Sequence, residues 1–323
     1  MPAEEPLMLG LALRRVLLSV PTLVGIALLV FFLSRLLPGD AVTGLVGPDS
    51  SASPERLAEL RRLLGLDQPL GVQLWRFFAA LLHGDLGTSL RTGRKVATDL
   101  GLRGPVTLEL AGVSVAVAVA LAVPLAVAAA ARPGSRLDRT LGALSSLFMA
   151  LPHFFVALLL GLLFALRLGW LPPAGWVPAH ESLGQHLRHL CLPVTTLALL
   201  LLAPLWRVGR ATVAAELHRD YIRTARAKGL RESAVRYRHA LRNAALPLVT
   251  AIGLQLGNLL GGAVIVEQVF GIPGVGRLAI EGINLRDYPV VQGATLAIGV
   301  AVILVNLGVD ALYALLDPRL RGA

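Results

Sequence analysis

Long apolar runs alternate with polar ones along the chain, and the lengths of the apolar runs set the expected elements. Six runs, at 16–37, 106–131, 141–166, 190–206, 244–266 and 290–316, are candidate spans. A helix of about 20 apolar residues crosses the hydrocarbon layer. The run at 16–37 exceeds the apolar length of a cleaved leader and lacks a small-x-small exit, so it reads as an uncleaved first helix. Two polar stretches stand out between the runs, a mixed one over 38–104 and a basic one over 207–243. Within the first, Ser53-Pro54-Glu55 reads as a helix start, Leu57, Leu60, Leu63 and Leu64 follow at helical spacing, and Gly65 stops the helix. A second amphipathic piece over 72–82 places Trp75, Phe78 and Leu82 on one face, and 83–89 reads as a turn. Both helices are too short for a core of their own and are expected on the membrane-facing surface of the bundle.

The expected fold class is an all-α polytopic membrane protein with six transmembrane helices and a small helical segment outside the membrane. Its parts are 1–37 (N-terminus and first span), 38–104 (outer segment) and 105–323 (five-helix core with the loop 207–243).

Composition agrees with this. Of 323 residues, 55% are hydrophobic and 15% charged, against about 25% charged in soluble domains. The net charge of +10 raises nucleic acid as a partner, and the placement of the charge answers against it. Arg14, Arg15, Arg132, Arg136, Arg139, Arg319, Arg321 and the arginines of 207–243 fall on one side of the membrane. Only Arg167, Arg188, Arg277 and Arg286 fall in the short loops of the other side. That bias places both termini in the cytoplasm and accounts for the charge without nucleic acid. Cys191 is the sole cysteine, so no internal disulfide forms.

Enzyme chemistry is not expected. The lysines are Lys95 and Lys228, and neither sits in a phosphate-cradling G-x-x-x-x-G-K-[ST] loop. No G-x-S-x-G, H-E-x-x-H or paired C-x-x-C occurs, so no catalytic residue, bound metal or cofactor is assigned. Energy for any transport must come from a partner or an ion gradient. His186, His189 and Cys191, with His180 nearby, are types that hold borderline metals, but the ligand set is incomplete and a structural role is preferred.

Intramembrane polar groups are functional candidates. Glu267, Gln255 and Asn258 are assigned to a substrate path, Asp310 to an interhelical hydrogen bond or ion pair, and Arg35 and Glu109 to snorkelling positions near the interfaces. Gly253, Gly257, Gly261 and Gly262 allow close packing, either against a partner or within this bundle.

In the basic segment, Ala214, Leu217, Tyr221 and Ala225 recur at spacings of three or four and form one apolar stripe, with Arg219, Arg223, Arg226 and Lys228 largely off it. Gly229 permits a sharp break. Two readings remain open from the residues: a ridge that fits a groove on another protein, or a basic helix lying on anionic headgroups.

The run Arg223-Thr-Ala-Arg-Ala-Lys-Gly229 resembles the EAA loop of ABC importer permeases. Ala225, Gly229 and Leu241 match that motif, while Arg223 and Thr224 stand where Glu and Ala would be, and His239 and Arg242 where Ile and Pro would be. The departures are similar to the variant of the dipeptide, oligopeptide and nickel permease branch, which also has the preceding Tyr221 and the run His239-Ala-Leu-Arg-Asn243. Leu36-Leu-Pro-Gly-Asp40, Leu64-Gly-Leu-Asp67, Gly84-Asp-Leu-Gly87, Pro273-Gly-Val-Gly-Arg277, Arg286-Asp-Tyr-Pro289 and Asp317-Pro-Arg-Leu-Arg321 resemble that branch in the same order. The long segment after the first helix is similar to the first permease of the pair such systems use.

The resemblance implies a type I ABC importer permease in a bacterial or archaeal inner membrane, surrounded by lipid. The implied partners are a second permease, two cytosolic ABC ATPases that hold the ATP and magnesium, and an external substrate-binding protein. A helix around 214–229 would couple to one ATPase through Tyr221, Arg223, Thr224, Ala225, Arg226, Lys228, Gly229, His239 and Leu241. The implied solutes are di- and oligopeptides, with nickel or a metal chelate as the alternative. A stand-alone secondary transporter is the rival of another class, but no internal repeat is evident and the basic segment has no role in it. A non-transporting scaffold would also leave that segment idle.

Overall fold

The computed structural model of the chain describes residues 5–36, 42 and 54–316. Among them there is no strand, only an isolated bridge between Thr88 and Lys95. The helices are α1 (Glu5–Leu36), α2 (Pro54–Leu63), α3 (Leu70–Leu82), α4 (Val96–Ala130), α5 (Arg136–Ala150) and α6 (His153–Arg167). They continue with α7 (Leu183–Leu217), α8 (Asp220–Ala227), α9 (Glu232–Phe270), α10 (Val275–Leu285) and α11 (Tyr288–Leu316). Wider π-type turns occupy Gly161–Arg167 at the end of α6 and Val235–Ala240 near the start of α9.

Among the described residues, five helices are long and apolar enough to cross a membrane unaided: α4, α7, α9, the Leu17–Leu36 part of α1 and the Tyr288–Ala311 part of α11. The sixth expected span, 141–166, is not straight. It is the pair α5 and α6, set at 109° to one another. Pro152 is the cause. It has no N–H to continue the α5 ladder, and it forces the residue before it out of the helical region. Leu151 is accordingly extended, at φ −86 and ψ 134. The other helices overrun their apolar cores. α4 begins at Val96 and so crosses the expected boundary at 104/105, while α7 begins at Leu183, with the Ser182 hydroxyl accepting from the Gln185 N–H as its cap. The short helix α10 answers to no apolar run and was not expected.

The chain packs as two units. One consists of Leu17–Thr107 and Pro273–Ala301, and the other contains Leu108–Ile272 with the described parts of Met1–Val16 and Val302–Ala323. In the first unit, α3 presents Phe77, Phe78 and Leu81 to Ala27, Val30, Val291 and Leu296. The expected face is therefore corrected. Phe78 packs inward, whereas Trp75 and Leu82 are 74% and 86% exposed. The inward face is the one whose rings stack, with Phe31 and Phe77 centroids 5.5 Å apart. The buried Asp287 carboxylate closes the loop ahead of α4, accepting from the Ser89 hydroxyl at 2.6 Å and the Leu90 N–H at 3.2 Å. Val275, Leu278 and Ala279 of α10 bury against Val96, Val290 and Ala294.

In the second unit α7 is the central element, packed by α9, α5 and α6, and it is the most buried of the spans. Of the glycines on α9, two approach neighbours within this chain. A Cβ on Gly253 would lie 2.5 Å from Val309 Cγ1, and one on Gly262 would lie 2.8 Å from His153 Nδ1. Gly257 and Gly261 face open space among the described residues.

Candidate functional site

Two features of the second unit attract attention: the short helix α8 and a cleft between α5, α6, α7 and α9.

α7 continues past its apolar section to Leu217 and stops at His218, whose Nδ1 lies 2.7 Å from the Ala214 carbonyl oxygen. Arg219 is extended, at φ −72 and ψ 151, and α8 starts at Asp220, an acidic first-turn residue favourable to the helix dipole. At the other end Gly229 takes φ +74. The Gly229 N–H donates to the Arg226 carbonyl and the Leu230 N–H to the Ala225 carbonyl. This pair of bonds is a Schellman closure, for which a left-handed glycine is suited.

Ile222 and Ala225 fasten α8 to the bundle. Ile222 is fully buried, and both pack with Val127, Ala130, Val213, Leu217, Val235, Ala240 and Ala244, with Ala214 and Leu241 at the edge. The stripe read from spacing is thus corrected at one position. Leu217 and Ala225 face inward, but Ile222 and not Tyr221 lies between them, and Tyr221 is 37% exposed. The turn at His218 and Arg219 interrupts the helix and advances its phase, so the four-residue step from Leu217 no longer applies.

The outward face presents Tyr221, Arg223, Thr224 and Lys228. The Tyr221 hydroxyl donates to Glu216 Oε2 at 2.6 Å and also meets the Asn243 side chain, linking the end of α7 to α9. Burial first, and then the Glu216 acceptor, push this phenol above its ordinary value, so it keeps its proton. Arg223 pairs only loosely with Asp220, at 3.5 Å, with both side chains largely in solvent. Arg226 is engaged within the loop, its Nε 2.8 Å from Glu232 Oε1. His239 is half-buried within the π-type turn of α9.

Arg210 of α7 grips Asp138 of α5 through two bonds of 2.7 Å, from Nε to Oδ1 and from Nη2 to Oδ2. Asp138 is buried and also accepts from the Gly134 N–H at 2.9 Å. The bidentate fork fixes both distance and orientation. Neither residue was singled out in the sequence. An arginine and an aspartate 72 positions apart carry no local signal of pairing.

The cleft has a volume of about 500 Å3. Its polar groups are Gln255 and Asn258 of α9 and His153 at the start of α6, and its apolar walls include Met149, Leu201 and Ile265. Asn258 Nδ2 donates to Gln255 Oε1 at 3.1 Å, so the two amides form one polar patch. The structure brings together these two residues, which the sequence reading assigned to a path, and adds His153, for which Pro152 was the available signal. Glu267 is placed elsewhere. It is fully buried near the end of α9, is engaged within the protein and does not line the cleft.

His186 is buried, with Nε2 2.7 Å from Glu109 Oε1, Nδ1 2.8 Å from the Val177 carbonyl oxygen, and Trp176 against its ring. Both ring nitrogens thus have protein partners. Glu109 ties α4 to α7, where the sequence suggested a snorkelling group. Arg35 likewise is held by the protein, donating to Gln73 Oε1 at 2.7 Å.

Comparison with known proteins accords with this architecture. Residues 122–322 match the family described as binding-protein-dependent transport system inner membrane component, and residues 8–111 match its N-terminal companion. A peptide transport system permease protein of Brucella melitensis is 40% identical over 98% of this chain and 99% of its own. The glutathione transport system permease protein GsiC of Salmonella paratyphi A is 40% identical over 97% of this chain and 99% of its own. A solved structure of the MetNI methionine ABC transporter, in an inward-facing conformation, has a chain that superposes with a TM-score of 0.54 at 17% identity, covering 68% of this chain and 96% of that one. That likeness concerns the fold. Two adjoining family matches and full-length relatives settle the membership: the chain is a multi-pass membrane protein of the binding-protein-dependent transport system inner membrane component family.

Proposed function

We propose that this permease is one of two that line the path of an ATP-driven importer for small peptides, and that a cytosolic ATPase moves it through α8. The observation that carries this reading is the mounting of α8. It is a short helix anchored by Ile222 and Ala225, with Tyr221, Arg223, Thr224 and Lys228 facing outward, and it joins the two helices whose other stretches wall the cleft. Displacement of α8 reaches the cleft through α7 and α9, against which Ile222 and Ala225 pack, as a two-state rearrangement requires. ATP and magnesium belong to the ATPases, and an external binding protein delivers the solute. Both termini face the cytoplasm, in keeping with the arginine bias.

For the solute, the relatives named for peptide and glutathione transport are the guide. The cleft volume lies within the range of about 300–1,000 Å3 usual for small-molecule sites. Neutral amides and one imidazole suit the N–H and C=O groups of a peptide better than they suit a bare divalent cation, since His153 is the one nitrogen ligand of the type that metals favour in that lining.

The test is uptake of a radiolabelled dipeptide into proteoliposomes holding the purified complex and its binding protein. Uptake should require internal ATP, and uptake by this chain alone would overturn the reading. Replacing both Gln255 and Asn258 with leucine removes two hydrogen-bonding sites, each contributing about 0.5–1.5 kcal/mol. Uptake should fall roughly tenfold on that basis, with ATPase binding unchanged. Gly229→Val should raise the ATP hydrolysed per peptide moved, because a left-handed conformation costs a side-chain-bearing residue about 1–2 kcal/mol and α8 would lose its closure. Gly229→Asn, which tolerates that region, should be nearly normal. Equal coupling in the two variants would remove Gly229 from the coupling element.

A further inference from the structure

A second cavity, of about 260 Å3, lies where the apolar span Leu17–Leu36 ends. Its charged lining groups are Arg35 and Arg76, and among the described residues no carboxylate faces it. Tyr288 and Gln73 add polar atoms, and Phe31 and Phe77 form an apolar wall.

Arg35 is fixed in advance. Its guanidinium carbon sits 3.4 Å from the centroid of the Phe31 ring. It donates to the Phe31 carbonyl at 2.9 Å and to Gln73 Oε1 at 2.7 Å. Gln73 is fixed in turn, its amide donating to the carbonyls of Leu66 at 3.3 Å and Gln68 at 2.8 Å. A guanidinium has five N–H donors, so these contacts leave others for a ligand. Arg76 crosses the left-handed Gly65, where a Cβ would lie 3.0 Å from Nη1. It makes no hydrogen bond or ion pair with the described residues.

A cleft lined by two arginines, with no carboxylate among its described residues, concentrates anions. Their depth indicates which. Leu33 and Leu36 on α1 are 51% and 76% exposed, as is proper to a surface facing lipid. Trp75, on the neighbouring α3, is 74% exposed, and tryptophan concentrates at the headgroup level. The cavity is also smaller than the roughly 300 Å3 at which small-molecule sites begin, which suits a headgroup rather than a whole peptide. We propose that this cavity binds the phosphate of an anionic phospholipid headgroup, with Arg35 and Arg76 as its cationic donors and the acyl chains along the exposed side of α1. A zwitterionic headgroup would bring an ammonium toward the same arginines and bind less well. This inference stands apart from the transport reading, because lipid binding is measured without turnover.

The test is native mass spectrometry of the delipidated complex in detergent, titrated with phosphatidylglycerol or with phosphatidylethanolamine. Phosphatidylglycerol should bind more tightly, and Arg76→Gln should weaken it about fivefold, on the scale of one arginine near a charged membrane surface. Arg76→Lys should restore much of the loss, and phosphatidylethanolamine binding, weaker from the outset, should change less. Arg35→Gln should give a similar loss, but Arg35 also packs on Phe31, so the solvent-exposed Arg76 is the decisive position. Unchanged phosphatidylglycerol binding in Arg76→Gln would overturn the proposal, as would an equal loss for both lipids. Displacement of the lipid by glycerol 3-phosphate at equal concentration would assign the site to soluble phosphates, and displacement by a dipeptide would assign it to substrate. Either result rejects a lipid site.

Discussion

Ile222→Asp is expected to abolish ATP-driven uptake while the chain still inserts in the membrane and the complex still hydrolyses ATP. Ile222 is fully buried at the centre of the cluster that anchors α8. A carboxylate there would lie among the apolar side chains of Val127, Val213, Val235 and Ala244. Leaving an ionised group in such surroundings costs far more than the contacts of a short helix return. The cheapest relaxation is for α8 to swing off the bundle, since its ends are already turns at Arg219 and Gly229. The outward face can then still meet an ATPase, but its movement no longer reaches α7 and α9. Ile222→Ala, which removes buried carbons without adding charge, should cost about 2–5 kcal/mol of docking and give an intermediate loss. Ile222→Val should cost about 0.5–1.5 kcal/mol and remain coupled. The measurements are peptide moved per ATP hydrolysed in proteoliposomes and amide exchange in 220–227. Uptake within twofold of the parent for Ile222→Asp would show that α8 transmits nothing.

Arg210→Leu should have the second largest effect. It leaves Asp138 buried with its charge unanswered apart from the Gly134 N–H. Breaking a buried pair from one side costs about 3–5 kcal/mol. The Arg210 side chain is 35% exposed, so solvent screens part of this and the expected loss is nearer 2–3 kcal/mol. The melting temperature of the detergent-solubilised complex should drop, and uptake with it, because the pair fixes α5 against α7. Removing both partners, as Asp138→Leu with Arg210→Leu, should recover most of the stability, since two apolar groups no longer bury an unpaired charge. A double variant as unstable as the single one would mean that the pair contributes shape and not charge compensation.

How much of this was legible beforehand depends on how far each feature reaches along the chain. The spans α4, α7, α9 and α11 were readable because crossing hydrocarbon demands a continuous apolar run, which is a local property of composition. The stop after α8 was readable because glycine is suited to the left-handed backbone that ends it. The 109° turn between α5 and α6 had its signal in Pro152, which a count of apolar residues passes over. The inward face of α8 was misplaced by one residue because spacing assumes an unbroken helix, and the turn at His218 and Arg219 resets it.

By itself, then, the sequence determined the class of protein, the position of its basic loop and the place where that loop breaks, all of which follow from a few neighbouring residues. Tertiary structure alone decided that Ile222 and not Tyr221 anchors α8, that Arg210 reaches Asp138, that Gln255 and Asn258 share a cleft with His153, and that Glu267 is buried away from it. Those outcomes depend on which helix faces meet. That is settled by packing between residues tens of positions apart, where periodicity has no reach.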